Sequence, residues 1–151
     1  MGQDRKRLVI GADDAGLGLK TVITGFLDER GVAYDDVGVD TPDATALGID
    51  YPDVAETVAT GIRDGRYDRG ILICGTGIGM SIAANRHQHI RAALCHSGLE
   101  ATLTRKHNNA NVLCLGARII GIETAKDCLQ KFLTTEFEGG RHEKRLAKLA
   151  C

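Results

Sequence analysis

The stretch Cys74-Gly75-Thr76-Gly77-Ile78-Gly79-Met80 puts a thiol directly before a glycine-rich turn. A cysteine that ends a strand, ahead of a glycine loop feeding a helix, sits in the partial positive charge of backbone N–H groups and the helix dipole, which favours a thiolate. The glycines let the backbone approach a ligand and aim N–H groups at an oxyanion or phosphate. The bland alternative is a buried small hydrophobe beside a tight turn. Asp13 and Asp14 follow the apolar run Leu8-Val9-Ile10 and could either cap a helix or supply an acid. His107-Asn108-Asn109-Ala110-Asn111 offers an imidazole and amides that can hold hydroxyls, in what reads as a polar loop. Arg118, Arg141, His142 and Arg145 are candidate anion ligands, with Arg141 and Arg145 spaced to share a helix face. A solvated basic face is the commoner use of such a pair.

Familiar phosphate motifs do not fit the glycine loop. A P-loop needs Gly-Lys-Ser/Thr, and no Lys follows. A dinucleotide fingerprint needs a third glycine at position 80, which is Met80, and an acid after the next strand, where Cys95-His96 stand. A cysteine phosphatase loop would also place Arg at Met80, to clamp the phosphoryl charge. A phospho-acceptor receiver would need Asp at Cys74 and Lys at Arg118. No Cys/His spacing resembles a zinc site, so neither a metal nor another cofactor is expected. What remains is a thiol, an oxyanion loop, an acid, an imidazole, amides and arginines. That set suits cofactor-free proton transfer on a phosphorylated, hydroxyl-rich molecule.

The elements that must position these groups alternate between short strands and helices. Leu19, Val22, Ile23, Phe26 and Leu27 mark a helix face that Gly31 stops. Val32 to Val39 reads as a weaker strand and residues 40–50 as loop. Tyr51 or Pro52 opens a helix carrying Val54, Val58 and Ile62. Gly70 to Cys74 reads as a strand buried on both faces, with a helix following to about Arg86. Ile90 to Cys95 and Asn111 to Leu115 are further strands, residues 99–106 and a segment from Ile122 to Leu133 further helices, and the basic tail Arg141 to Leu149 a last one. This alternation predicts an α/β fold, a three-layer α/β/α sandwich with a parallel sheet. Ligands in such sheets bind beyond the carboxyl ends of the strands, which points to Asp13 and Asp14, Cys74 to Gly79, Cys95 and His96, and Gly116 to Arg118.

The chain has 151 residues, a size for one domain spanning 1–151. A hydrophobic share of 43% excludes a disordered chain, and a net charge of -1 argues against nucleic-acid and acidic-membrane partners. The five scattered cysteines predict a reducing compartment, and the polar stretch Met1 to Arg7, with no signal-type apolar h-region behind it, predicts a cytoplasmic protein. No apolar run approaches the roughly 20 residues of a membrane span.

These residues resemble ribose-5-phosphate isomerase type B, in the family that also holds the galactose-6-phosphate isomerase subunits. The resemblance rests on Gly11-Ala12-Asp13-Asp14-Ala15-Gly16 with Leu19-Lys20, Asp50-Tyr51-Pro52, Cys74 through Asn85 with Ile90-Arg91-Ala92, His107 through Arg118, and Gly140-Arg141-His142-x-x-Arg145. It implies a five-stranded parallel Rossmann-like sheet of order 2-1-3-5-4 and a metal-free aldose–ketose isomerase working through an enediolate. Cys74 would be the base between C1 and C2. Thr76 and the N–H groups of Gly75, Gly77, Ile78 and Gly79 would stabilise the enediolate oxygen. His107, helped by Asp13, would open the sugar ring. Asn108 and Tyr51 would hold hydroxyls, and Arg118, Arg141 and Arg145 the phosphate. The tail from about 141 to 151 would reach a neighbouring subunit, which implies a homodimer or a tetramer built from dimers. The substrate so implied is ribose 5-phosphate. Asp14 departs from the family's usual His and bears on that choice: a like charge beside a phosphate is unfavourable, so Asp14 should turn away or face a hydroxyl. A galactose or allose 6-phosphate, a tetrulose 4-phosphate, or a non-catalytic phosphosugar-binding role are the alternatives it raises.

Overall fold

The computed structural model describes residues 7–150; the chain before Arg7, and Cys151, lie outside the described residues. Five strands alternate with helices: β1 Leu8–Ala12, α1 Leu17–Glu29, β2 Tyr34–Asp36, α2 Tyr51–Arg63, β3 Arg69–Cys74, α3 Ile78–Asn85, β4 Ala92–Leu94, α4 Gly98–Asn108, β5 Val112–Gly116, α5 Ile122–Thr134 and α6 Arg141–Ala147. The strands form one sheet in the order β2-β1-β3-β5-β4, with every neighbouring pair parallel. The expected topology is thus the observed one. Sheet growth reverses between β1 and β3, so the residues that leave these two strands flank the switch point.

Alternation along the central strands divides the core. Ile10, Ile71, Ile73, Leu113 and Leu115 pack against α1, α4 and α5 through residues such as Ile23, Leu27, Ala101, Leu129 and Phe132. Val9, Leu72, Cys74, Val112 and Cys114 face the other way, onto Val54, Val58, Met80 and Ala84 of α2 and α3. A strand buried on both faces has no polar side to show, which is why Gly70-Ile71-Leu72-Ile73-Cys74 is uninterruptedly apolar.

Four segments differ from the sequence-based expectation. The strand expected over Val32 to Val39 is paired only over Tyr34–Asp36, at one edge of the sheet. Residues 40–50 contain a single 3-10 turn at Thr45–Leu47. The strand expected from Ile90 is paired only over Ala92–Leu94, at the sheet's edge. His107 and Asn108 lie in the last turn of α4 rather than in a loop. A basic side chain satisfies that helix's final carbonyls: Arg91 donates to Asn108 and to Asn109, each at 3.0 Å, and Arg105 holds the chain just beyond the end with a bond to the Ala110 carbonyl at 2.6 Å. Arg69 and Arg105 serve the end of α5 in the same way, donating to the carbonyls of Phe132 at 2.7 Å and Thr135 at 3.1 Å. Burial pushes the Arg105 guanidinium down to about 10.

At the carboxyl edge the backbones of two turns come close. A Cβ on Gly116 would meet the Thr76 carbonyl well inside van der Waals contact. Neither backbone can yield without moving the loop after β3. Gly116→Ala is therefore expected to destabilise the protein by about 1–3 kcal/mol in chemical denaturation; an unchanged midpoint would show that the two turns are not in contact.

Candidate active site

Asp13, Cys74 and Arg118 leave the carboxyl ends of β1, β3 and β5, and backbone hydrogen bonds lock these exits together. The Asp13 N–H donates to Ile73, Ala117 to Cys74, and Arg118 to Gly75, at 3.2, 2.9 and 2.8 Å. The Cys74 side chain is only 5% exposed, at the top of the layer between the sheet and α2/α3. The Gly77 N–H donates to its Sγ at 3.1 Å. Gly77 can bend back to do this because it sits at φ +77, where only glycine rests without strain. The same residue opens α3, so the sulfur lies at that helix's amino end.

The rest of the loop is partly committed. The Ile78 N–H donates to the Thr76 hydroxyl oxygen at 3.2 Å. Two of the four backbone donors expected to face an oxyanion, those of Gly77 and Ile78, thus have partners within the loop. The Thr76 hydroxyl accepts from Ile78, so its own proton is available to donate outward from an exposed position. Two side chains roof the turn. The Arg118 guanidinium lies 3.5 Å from where a Gly75 Cβ would be, and the Tyr51 ring 2.9 Å from where a Gly79 Cβ would be. The glycine at 79 therefore makes room for Tyr51, whereas a Cβ at 75 would rest in ordinary contact with Arg118. Tyr51 opens α2, whose start is fixed by the Asp50 N–H donating to Asp53 at 2.9 Å.

Asp13 is buried and accepts from the Gly16 N–H at 2.9 Å. It folds the turn ahead of α1 and is not that helix's cap residue, which is Gly16. Burial holds its carboxyl above the ordinary carboxylate range; the Gly16 hydrogen bond opposes this, the Asp14 charge adds to it, and Arg118 opposes it. Asp14 takes the Ala15 N–H at 2.9 Å and the Thr45 hydroxyl at 2.8 Å. The bond to Thr45 ties the 3-10 turn to the end of β1. Thr45 carries no motif and was not among the expected residues.

The remaining candidates stand elsewhere. Helix α4 runs back against the strand direction, so its last turn, with His107 and Asn108, lies at the amino edge of the sheet beside Arg91. Eleven helical residues span about 16 Å, so within one chain this end is far from Cys74. Arg141 and Arg145 are exposed on α6, which joins the same end: the Glu138 N–H donates to the Lys106 carbonyl at 3.1 Å, and the rings of His107 and His142 stack with centroids 4.6 Å apart. His142 is buried beneath His107 and is not the exposed anion ligand its sequence context suggests. Its Nε2 lies 3.5 Å from Glu138. The four-residue spacing of Glu138 and His142 was the sequence signal for that pair. His107, Glu138 and His142 bring potential ligand atoms within 4.8 Å of one another. Rings stacked only 19° from parallel, however, aim their nitrogen lone pairs along separate planes and not at a common ion. The described chain thus presents two half-sites. One holds a sulfur, a hydroxyl donor and a guanidinium; the other an imidazole, an amide and two guanidiniums.

The family model described as ribose/galactose isomerase matches residues 8–149. The chain is 46% identical over 142 residues to D-erythrulose-4-phosphate isomerase of Pectobacterium atrosepticum, covering 94% of this chain and 91% of that one. It is 44% identical over 146 residues to ribose-5-phosphate isomerase B of Escherichia coli K12, covering 97% and 95%. The structure of Mycoplasma genitalium ribose-5-phosphate isomerase B with bound ribulose 5-phosphate superposes with a TM-score of 0.87 at 40% identity, covering 95% and 93%.

The Asp13 carboxylate is disfavoured by burial, so its charge costs stability where it is ionised and nothing where it is protonated. Asp13→Asn keeps an oxygen for Gly16 and removes the charge. Its denaturation midpoint is expected to exceed that of the unaltered protein at pH 7, with the gap narrowing as the pH falls towards 4. A gap that widens on acidification would contradict the assigned cause.

Proposed function

The chain belongs to the ribose/galactose isomerase family and is a sugar-phosphate isomerase, and from that premise we propose that it interconverts ribose 5-phosphate and ribulose 5-phosphate with Cys74 as the base. The observation that carries the reading is the Cys74 sulfur at the switch point, with the Gly77 N–H upon it and Thr76 and Arg118 beside it. In the aldose-to-ketose direction the thiolate takes the C2 proton. The electron pair forms the C1–C2 double bond and the carbonyl π pair moves to O1. The O2 proton passes to O1, the O2 carbonyl forms, and the thiol returns its proton to C1. Charge develops on an oxygen that the Thr76 hydroxyl and the loop's backbone can meet.

The ring-opening imidazole and the tail arginines come from a second copy of the chain in this reading. A two-fold axis perpendicular to the strands reverses the partner sheet and lays its amino edge beside this protomer's carboxyl edge. Apolar side chains suited to such a contact flank the edge strand β4: Ile78 and Ile82 on α3, and Leu99 and Leu103 on α4, are all substantially exposed. The homodimer would then join Cys74, Thr76, Asp13, Tyr51 and Arg118 of one protomer to His107, Asn108, Arg141 and Arg145 of the other. Pairing of such dimers into a tetramer is compatible with it. The four described cysteines are free and buried, and no helix among the described residues is long and apolar enough to cross a membrane. Both facts support the cytoplasm as its place.

Asp14 favours a second reading, a four-carbon 4-phosphate, the class named for the Pectobacterium relative. Its carboxylate adds negative charge at the rim. Retention of His107 favours the pentose, because a 4-phosphorylated tetrose cannot close into a furanose and needs no ring opening. A panel of four-, five- and six-carbon aldose and ketose phosphates is expected to give ribose 5-phosphate the highest kcat/KM; erythrulose 4-phosphate in first place would establish the second reading.

Cys74→Ala is expected to lower kcat about 10²–10⁴-fold with the fold intact. Mixing and re-forming equal amounts of the inactive Cys74→Ala and His107→Ala proteins should restore about a quarter of full activity, from hybrids holding one unaltered site. Absence of recovery in verified hybrids would contradict a site shared between protomers.

A further inference from the structure

We propose that Glu138 and His142 are positioning residues that fix the plane and support the charge of His107, so that their effect falls on ring opening and not on proton transfer between carbons. The inference rests on the reading of His107 as the group that opens the sugar ring.

Three observations carry it. First, the His107 and His142 rings stack at 4.6 Å and 19°, which restrains rotation of the His107 side chain. Second, His142 is 5% exposed and is the one buried residue of α6, while Arg141 and Arg145 beside it are exposed. The stack on His107 is thus part of the contact that docks the helix, and it registers both arginines against that imidazole.

Third, a buried phenyl or leucine side chain would dock α6 at no polar cost. Here the buried Nε2 of His142 has no hydrogen-bond partner and instead lies 3.5 Å from the Glu138 carboxylate. Glu138 is held in turn by its own N–H on the Lys106 carbonyl at 3.1 Å and by Lys106 Nζ at 3.9 Å. Its carboxylate oxygen lies within 4.8 Å of a nitrogen of each imidazole. A negative charge at that distance attracts the positive charge that forms on His107 when it takes a proton. Anchoring alone explains the burial, but not the nitrogen turned to a carboxylate.

The test separates the two steps by following two readouts. Conversion of cyclic ribose 5-phosphate requires ring opening. Entry of solvent deuterium at C1 of ribulose 5-phosphate, which is acyclic, requires only Cys74 chemistry. His142→Phe keeps the stack and the docking surface, and Glu138→Gln alters a half-exposed side chain, so both proteins should fold. Each is expected to lower kcat for ribose 5-phosphate, about tenfold for His142→Phe and less for Glu138→Gln, with KM and deuterium entry changed by less than about twofold. Full ribose turnover in His142→Phe would show a docking role alone and overturn the proposal. A rise in KM with equal loss of both readouts would show displaced arginines and overturn it too. His107→Ala serves as the reference. If it loses both readouts equally, the ring-opening reading of His107 fails and takes the positioning pair with it; if it shows the selective loss and the other two do not, only the positioning pair fails.

Discussion

Chain direction in a parallel sheet governs everything else in this molecule. Every strand runs the same way, so a residue that follows a strand emerges at the carboxyl edge and one that ends the next helix returns to the amino edge. Cys74, Asp13 and Arg118 are of the first kind. His107 and Asn108 are of the second. No rotamer change brings them together in one chain. A reaction that needs both thiol and imidazole would therefore have to borrow one of them from a second copy, for which the exposed isoleucines and leucines beside β4 would offer an apolar contact.

Within the carboxyl half-site, the sulfur's surroundings follow from packing as much as from chemistry. Cys74 is the last inward residue of β3 and shares its layer with Leu72 and Met80. The bland reading, a small buried hydrophobe, is correct for most of its surface. What distinguishes it is the Gly77 N–H, delivered by a backbone conformation that only glycine holds easily. Close approach does the rest: Gly79 and Gly116 lie where added side-chain atoms would crowd Tyr51 and the Thr76 carbonyl.

Much of this was legible in the sequence. The apolar runs at Leu8–Ile10 and Gly70–Cys74, and the periodicity of Leu19 to Leu27, identify buried strands and an amphipathic helix because burial on two faces or one leaves different patterns. The resemblance supplied the sheet order. The end of α4 is not legible as helix in the sequence, since the Arg91 donor that satisfies its last carbonyls comes from a distant position that local propensity does not register. The tether from Thr45 to Asp14 and the burial of His142 were equally hidden, because both depend on contacts between segments far apart in the chain. Sequence spacing also gave no sign that the candidate residues divide between opposite edges; only the direction of α4 reveals it.

Cys74 of one protomer and His107 of another are proposed to address the same sugar, and a crystal structure with a phosphorylated hydroxamic acid, a stable mimic of the enediolate, would reveal whether they do. The inhibitor's hydroxamate is expected within van der Waals contact of Cys74 Sγ, its phosphate on Arg118 together with the partner's tail arginines, and an imidazole from the partner in the same cavity. An inhibitor bound with the sulfur sealed behind Gly77, or enclosed by one protomer alone, would contradict it.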